Sequence, residues 1–402
     1  MMDRNAVAFD DQQMAEYDKN GYLIVRNLLS PDEVEALRSV VHDQAQWNSY
    51  PPSLKYPTPG KYTISGNKMA EPGLSSIAEH PTVIQAVEAA LGEPAHLTAY
   101  VAYLRTPSDK GSGAHCDYKR WRPVGSSMNW VFAIIPLADF DEAYGQFLVS
   151  PGSHKLSRVI DENARIQDLA PIDKSEMAPF IDPGLKAGDL LVTSAYTWHE
   201  APAGTTSDDR CGIFNKYCAV NAPPAAGYYP YNSEALGALS ETGKRLIPVC
   251  FDEPITTTRL LIERASDGDA EFLLVRDTEK DRWELPGGEG GEEEDGVGWD
   301  VGARIGALQD LVKTQLDLDV PWMSYIEDAK REGGICRVYG FLDDDRMSDV
   351  LKNSDMGWFT KEQLRDLVGE DDYICQAVQT WQREDIIRGK GKAVRQRKAQ
   401  FA

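Results

Sequence analysis

Several things are missing from this 402-residue chain, and each absence narrows what it can be. No run of 18 or more apolar residues occurs, so no segment reads as a membrane-spanning helix. The opening MMDRNAVAFDDQQMAEYDKNGY lacks the apolar core of a secretory signal, which favours a cytoplasmic protein. Cysteine is sparse: Cys116, Cys211, Cys218, Cys250, Cys336 and Cys375 show no paired spacing, which fits free thiols in a reducing compartment. Positive charge is also short, with 42 basic against 64 acidic residues and a net charge of −22. Such a field repels phosphates and anionic lipid, so neither nucleic acid nor a membrane surface is an expected partner. The one exception is Arg388–Gln400, with six basic residues and no acid, read as a solvated tail.

What remains is an ordinary soluble composition, 42% hydrophobic and 26% charged, in a chain long enough for two domains. Ser30-Pro31-Asp32-Glu33 predicts a helix start, with Ser30 as N-cap, Pro31 at the first helical position and Glu33 closing a capping box. YLIVRNLL before it reads as a short strand. From Leu97 the period approaches two: LTAYVAYLR, SMNWVFAIIPL, GQFLVSPGS, DLLVTSAYTW and RCGIFNKYCAV read as strands. Short strands without intervening helices predict a sandwich or barrel. After Ala222–Pro254, the likeliest boundary, a second pattern begins. RLLIERA and EFLLVRD form a strand pair, followed by a Gly/Glu-rich loop, a helix around Ile305–Gln315, a strand near Cys336–Leu342, and helices from Lys361 and Tyr373.

His115-Cys116-Asp117 is the first sign of chemistry. In an extended segment residues two apart share a side, so imidazole and carboxylate can converge on one ion. His199, expected to end the strand in KAGDLLVTSAYTWHEAPAG, is the best third ligand. Two histidines and one carboxylate leave open positions for a co-substrate and O₂, the arrangement of non-haem Fe(II) oxygenases. His42, His80, His96 and His154 read as structural.

Four features in order resemble the phytanoyl-CoA dioxygenase family across roughly Glu16 to Val220: NGYLIVRNLLSPDEVEALR, His115-Cys116-Asp117-Tyr118, the turn Ser150-Pro151-Gly152-Ser153-His154, and Gly188-Asp189-Leu190 leading to His199 and then Arg210. The resemblance implies a double-stranded β-helix (jelly-roll, cupin-like) fold, Fe(II) as metal, and 2-oxoglutarate and O₂ as co-substrates. It implies that Arg210 grips the distal carboxylate of 2-oxoglutarate, as a guanidinium fork can. Tyr103, Arg105 and Asn129 are further candidates for the co-substrate pocket. Tyr118, Arg120, Trp121, Arg122 and Trp198 are candidates for shaping the substrate pocket. Related halogenases replace the carboxylate with Gly or Ala, so Asp117 favours oxygen insertion, with desaturation or ring closure as alternatives. The substrate implied is a small-molecule metabolite.

From about Thr258 to Trp381 the chain resembles the Nudix hydrolase family, through EFLLVRDTEKDRWELPGGEGGEEE, GALQDLVKTQLDLDVP and MGWFTKEQLRDL. The family's box helix carries metal-binding glutamates. Here Gln309, Asp310, Lys313 and Thr314 occupy those places, and Asp317 stands where glycine is usual. Mg²⁺ requires hard oxygen ligands, so hydrolase activity is not expected unless Glu292–Asp295 supplies them. The expected layout is a largely β protein with α: an oxygenase domain over residues 1–250, an α/β/α Nudix-like domain over 251–388 with a structural or dimerising role (a homodimer through it), and a basic tail over 389–402. The competing readings are a ligand-binding regulatory protein and a nucleotide-diphosphate hydrolase.

Overall fold

The computed structural model describes residues 9–47, 61–117, 129–156, 174–221, 224, 227–265, 269–289, 301–320, 323–343 and 355–383. The chain enters through α1 (Asp11–Asn20), β1 (Tyr22–Val25) and α2 (Pro31–Trp47), then β2 (Lys61–Ser65), α3 (Pro72–Ala78) and α4 (Pro81–Leu91). The start of α2 is fixed as its sequence requires: Ser30 and Glu33 exchange bonds, Ser30 N donating to Glu33 Oε2 at 2.9 Å and Glu33 N to Ser30 Oγ at 3.3 Å. The predicted strand before it stops at Val25, because Asn27 turns with φ 54 and its amide is bonded by Asp189.

Eight strands follow: β3 (Ala95–Ala99), β4 (Val101–Arg105), β5 (Gly111–His115), β6 (Trp130–Pro136), β7 (Leu148–Val149), β8 (Leu190–Ser194), β9 (His199–Pro202) and β10 (Arg210–Ala219). Together with β1 and β2 they build a seven-stranded sheet, ordered β1-β8-β6-β10-β4-β2 with β3 also on β10, and a three-stranded sheet ordered β5-β9-β7. All of these pairings are antiparallel. The predicted strand LTAYVAYLR is broken at Tyr100, whose amide donates to the Tyr231 hydroxyl while Val101 N donates to the Asn215 side chain. β10 bulges at the same level, between Lys216 and Tyr217.

Alternation along β10 divides the domain into two packed zones. Cys211, Ile213 and Tyr217 pack in the zone that holds Leu37 and Val41 of α2 and Val83 and Val87 of α4. Phe214 and Cys218 pack in the zone between the sheets, with Phe132 and Ile134 from the large sheet and Phe147 and Val149 from the small one. The alternating strands thus enclose a second core on the side away from the helices.

Helices α5 (Ser233–Gly237) and α6 (Glu241–Lys244) lead to the second unit. It contains β11 (Ile255–Ala265), β12 (Ala270–Asp277), β13 (Arg282–Glu284), β14 (Gly287–Glu289), α7 (Val301–Leu316), β15 (Ser324–Arg331), β16 (Gly334–Asp343), β17 (Met356–Thr360), α8 (Lys361–Val368) and α9 (Tyr373–Arg383). The sheet is mixed, ordered β13-β12-β11-β16-β15, with β11 and β16 parallel and the other pairs antiparallel. Leu260, Ile262 and Leu273 face Leu308, Val312 and Leu316 of α7. Leu261, Phe272 and Leu274 face Leu364, Ile374, Val378 and Trp381 of α8 and α9. Strands apolar on both faces therefore sit between helical layers. The molecule is a mixed α/β protein with large antiparallel sheets.

The two units meet at Tyr228. Its ring packs edge-on to His96 and to Tyr325, its hydroxyl lies 3.0 Å from His96 Nδ1, and its carbonyl accepts from Arg337 at 2.9 Å. None of the six cysteines is in a disulfide. Among the described residues no helix is long and apolar enough to cross a membrane.

Candidate metal centre and co-substrate pocket

β5 and β9 pair so that His115 lies opposite His199. His199 therefore opens a strand rather than ending the one expected from its sequence. The preceding strand stops at Ser194, where the hydroxyls of Thr193 and Thr197 both donate to the Gly21 carbonyl and hold the turn. The Ser150–His154 turn then braces the residue before the histidine. Ser150 N donates to the Trp198 carbonyl at 2.9 Å, and Trp198 N donates to Ser153 Oγ at 2.9 Å.

Asp117 completes the group. Its Oδ1 lies 3.7 Å from His115 Nε2 and its Oδ2 lies 3.9 Å from His199 Nε2. One ligand atom from each of the three residues falls within 4.8 Å of the others, the only such group of three among the described residues. Each imidazole is oriented through its other nitrogen: His115 Nδ1 sits 2.7 Å from the Gly113 carbonyl and His199 Nδ1 sits 3.0 Å from the Thr197 carbonyl. A carbonyl only accepts, so both Nδ1 atoms carry the proton and both Nε2 lone pairs turn toward Asp117. This is how histidine ligands are normally poised. Phe147 stacks on His199 at 4.9 Å. Burial pushes the His199 imidazole below its ordinary range, against the pull of Asp117, which favours the neutral, ligating form. The donor set fits Fe(II) with 2-oxoglutarate: three protein ligands, of which two are imidazoles and one a carboxylate, leave coordination positions for a chelating keto acid.

Arg210 begins β10 opposite Arg105 of β4, and is 4% exposed. Its guanidinium lies 3.8 Å above the Phe140 ring, and its Nε and Nη2 are buried without a hydrogen-bond partner. Burial and then the neighbouring Arg105 weigh against its charged form, while Asp109 opposes them. A buried guanidinium with two unused donors is costly unless an anion completes it. A carboxylate would do so, and Arg105 and Arg210 line one cleft together with Thr106, Tyr144 and Thr206. Arg105 is already tied to Asp109 at 3.0 Å. Tyr103 shares the inner side of β4 and packs edge-on to Phe214.

Asn129 departs from expectation. Its amide donates to the Leu91 carbonyl at the end of α4, so it serves the helix end and not the co-substrate pocket. Trp198 supports the turn through its backbone, and its indole nitrogen is buried without a partner. Tyr118, Arg120, Trp121 and Arg122 lie outside the described residues, as do Glu292–Asp295 and the basic tail. His154 is held structurally, its Nε2 3.2 Å from the Asp18 carbonyl. Sequence reasoning missed Phe147, Phe140 and Asp109, which contact the proposed site residues from other strands and loops. Only the alternation of GQFLV hinted that Phe147 faces inward.

The N-terminal part of the chain is similar to proteins already described. The family model described as Phytanoyl-CoA dioxygenase (PhyH) matches residues 17–212. The ectoine dioxygenase of Bordetella parapertussis is 27% identical over 252 residues, covering 56% of this chain and 81% of that protein. Its counterpart in Bordetella bronchiseptica is 26% identical with the same coverage. Among solved structures, the non-heme alpha ketoglutarate dependent carbocyclase SnoK from nogalamycin biosynthesis is 20% identical, with a TM-score of 0.46 over 54% of this chain and 86% of that one. EctD from S. alaskensis, with 2-oxoglutarate and 5-hydroxyectoine, is 19% identical, with a TM-score of 0.43 over 55% and 79%. The matched region is phytanoyl-CoA dioxygenase-like, and its relatives support an iron- and 2-oxoglutarate-dependent dioxygenase.

Proposed function

We propose that residues 1–250 form a dioxygenase domain of the double-stranded β-helix type that oxidises a C–H bond of a small-molecule metabolite, with succinate and CO₂ as co-products. His115, Asp117 and His199 hold the metal, and Arg210 holds the distal carboxylate of 2-oxoglutarate. The observation that carries the reading is the convergence of the three ligand atoms within 4.8 Å, with both imidazoles turned inward by backbone carbonyls. Iron(II), when bound, supplies the centre that activates O₂ against the keto acid. The chain's own part is to fix the ligands and to neutralise the co-substrate's charge at Arg210, beside the buried cluster that holds Phe132, Phe140 and Phe147. Asp117 fills the coordination place that a halide would need, so hydroxylation is favoured.

Anaerobic addition of Fe(II) and 2-oxoglutarate should produce a weak visible charge-transfer band that His199→Ala abolishes. No band in the wild-type protein would reject the reading. Succinate formation over a metabolite panel, with ectoine among the first compounds, would then identify the substrate class.

We propose further that residues 251–388 form a Nudix-like domain without hydrolase activity, retained for packing or dimerisation. The box helix supports this. Lys313 is tied to Asp317 and Asp319 at 3.1 and 3.0 Å, Gln309 donates to the Val320 carbonyl, and Gln315 bonds both N and O of Gly287. Those polar groups brace the helix and its neighbouring loops, and a lysine among them repels Mg²⁺. Mg²⁺-dependent phosphate release from a nucleotide-sugar panel, lost on changing Glu292–Glu294 to Gln, would overturn this.

A further inference from the structure

Phe140 supports the buried Arg210 without taking a hydrogen-bond donor from it. The Arg210 Cζ stands 3.8 Å from the centre of the Phe140 ring, while its Nε and Nη2 have no hydrogen-bond partner. A ring face attracts a guanidinium through its quadrupole and uses no N–H in doing so. A carboxylate in that place would have occupied the donors, as Asp328 occupies those of Arg337 at 2.7 and 2.9 Å. The ring therefore fixes the cation and leaves those two donors for the cleft that Arg210 lines with Thr106 and Tyr144.

The ring is itself firmly placed. Phe140 is 1% exposed, and its amide donates to the Leu185 carbonyl at 3.0 Å. On one side of it Asp139 accepts from Ala187 N at 3.0 Å, and on the other Asp141 accepts from Ala143 N at 2.9 Å. The ring also stacks on Phe214, with the two centroids 6.1 Å apart. Arg210, Gly212 and Phe214 share one side of β10, so the Phe140 ring passes over Gly212 to reach the guanidinium. A Cβ at position 212 would come within 3.0 Å of Phe140 Cζ, 3.1 Å of the Ile135 carbonyl oxygen and 3.2 Å of Phe214 Cε2. Gly212 does not have a positive φ, so its backbone conformation does not call for glycine. The room for the ring does.

We infer that Phe140 is a positioning residue for co-substrate binding, a shelf that orients Arg210 toward the carboxylate of 2-oxoglutarate, and that Gly212 is the gap its ring requires. The inference rests on the oxygenase reading. A guanidinium held in advance avoids the ordering that an unsupported arginine undergoes on binding, a difference of about tenfold in affinity.

The test uses the full chain loaded anaerobically with Fe(II), with iron content per chain and 2-oxoglutarate affinity by calorimetry as the readouts. Phe140→Leu should keep one iron per chain and bind 2-oxoglutarate about tenfold more weakly. Gly212→Ala should lose affinity in the same direction, because its methyl presses on the ring. Fluorinated phenylalanines incorporated at position 140 weaken the negative ring face with little change in shape, so affinity should fall stepwise as fluorines are added. The same series serves if Phe140→Leu fails to fold. In an Arg210→Met background, Phe140→Leu should cause no further loss. A ring that only fills the core would ignore fluorination and would cost the same affinity in both backgrounds. Either result would overturn the inference alone. A wild-type protein that binds no 2-oxoglutarate would overturn the oxygenase reading with it.

Discussion

The two units differ in how completely they pair a buried arginine. In the C-terminal unit, Arg337 is fully buried, yet it grips both oxygens of Asp328 at 2.7 and 2.9 Å and donates to the Tyr228 carbonyl, with only its Nη1 left without a hydrogen bond. Glu284, also buried, is met by Arg331 through two bonds and by the Tyr373 hydroxyl at 2.6 Å. In the N-terminal unit, Arg210 is 4% exposed, and its Nε and Nη2 have no hydrogen-bond partner. Its nearest charged strand neighbour is another arginine. Matched charges hold a fold together, whereas unmatched ones wait for a ligand. The contrast places the buried guanidinium with unused donors in the N-terminal unit, and the fully bonded carboxylates in the second.

The largest expected effect breaks the N-terminal unit's side of that contrast. His199→Ala should lower iron affinity by more than the roughly 10–100-fold that loss of an outer-shell partner costs, leaving metal stoichiometry near zero after dialysis. Wild-type stoichiometry would remove His199 from the ligand set. Next comes Asp328→Ala, which leaves Arg337 buried and unpaired. It should destabilise the protein by about 3–5 kcal/mol in denaturant unfolding, while a full-length chain that still folds keeps its iron. A change below about 1 kcal/mol would show that this pair is not what holds the units' junction.

Arg210→Met sharpens the comparison. Losing a charged partner in a closed pocket should weaken 2-oxoglutarate binding by about 1.5–3 kcal/mol, read by calorimetry. Ligand-free stability should stay level or rise, because the orphaned donors go with the guanidinium. A drop as large as that of Asp328→Ala would mean that Arg210 serves the fold. The smallest effect belongs to Asp317, which ends α7 with φ 51, its amide bonding the Lys313 carbonyl. That left-handed position favours glycine, so Asp317→Gly should add about 0.5–1 kcal/mol to stability, less whatever the exposed contact with Lys313 contributed. A net loss would show the contact to be the larger of the two.

Much of this was legible in the residues. Ser30, Pro31 and Glu33 set the start of α2, and alternation marked β6, β8 and β10. The two-sided apolar runs LLI and FLLV marked buried strands of the second unit. His115 and Asp117 stood out because their spacing alone brings them to one side. Strand ends were less legible. Predicting that His199 closes a strand failed because the turn before it is held by Thr193 and Thr197 reaching Gly21, a contact between distant parts of the chain. Asn129 looked like a pocket residue because a strand offers two faces, and the sequence does not say that the end of α4 lies against one of them.

Local rules of helix capping, strand period and turn chemistry act over a few residues, so the sequence by itself determined most of the helices and strands and the spacing of His115 and Asp117. The tertiary structure decided which faces turn inward, and with that the fate of each polar group. It set His199 opposite His115, stacked Arg105 beside Arg210, laid Arg210 over Phe140 and paired Arg337 with Asp328. Those outcomes depend on strand register and on desolvation, both fixed only when distant segments pack, and desolvation is what separates a costly unpaired charge from an ordinary surface one.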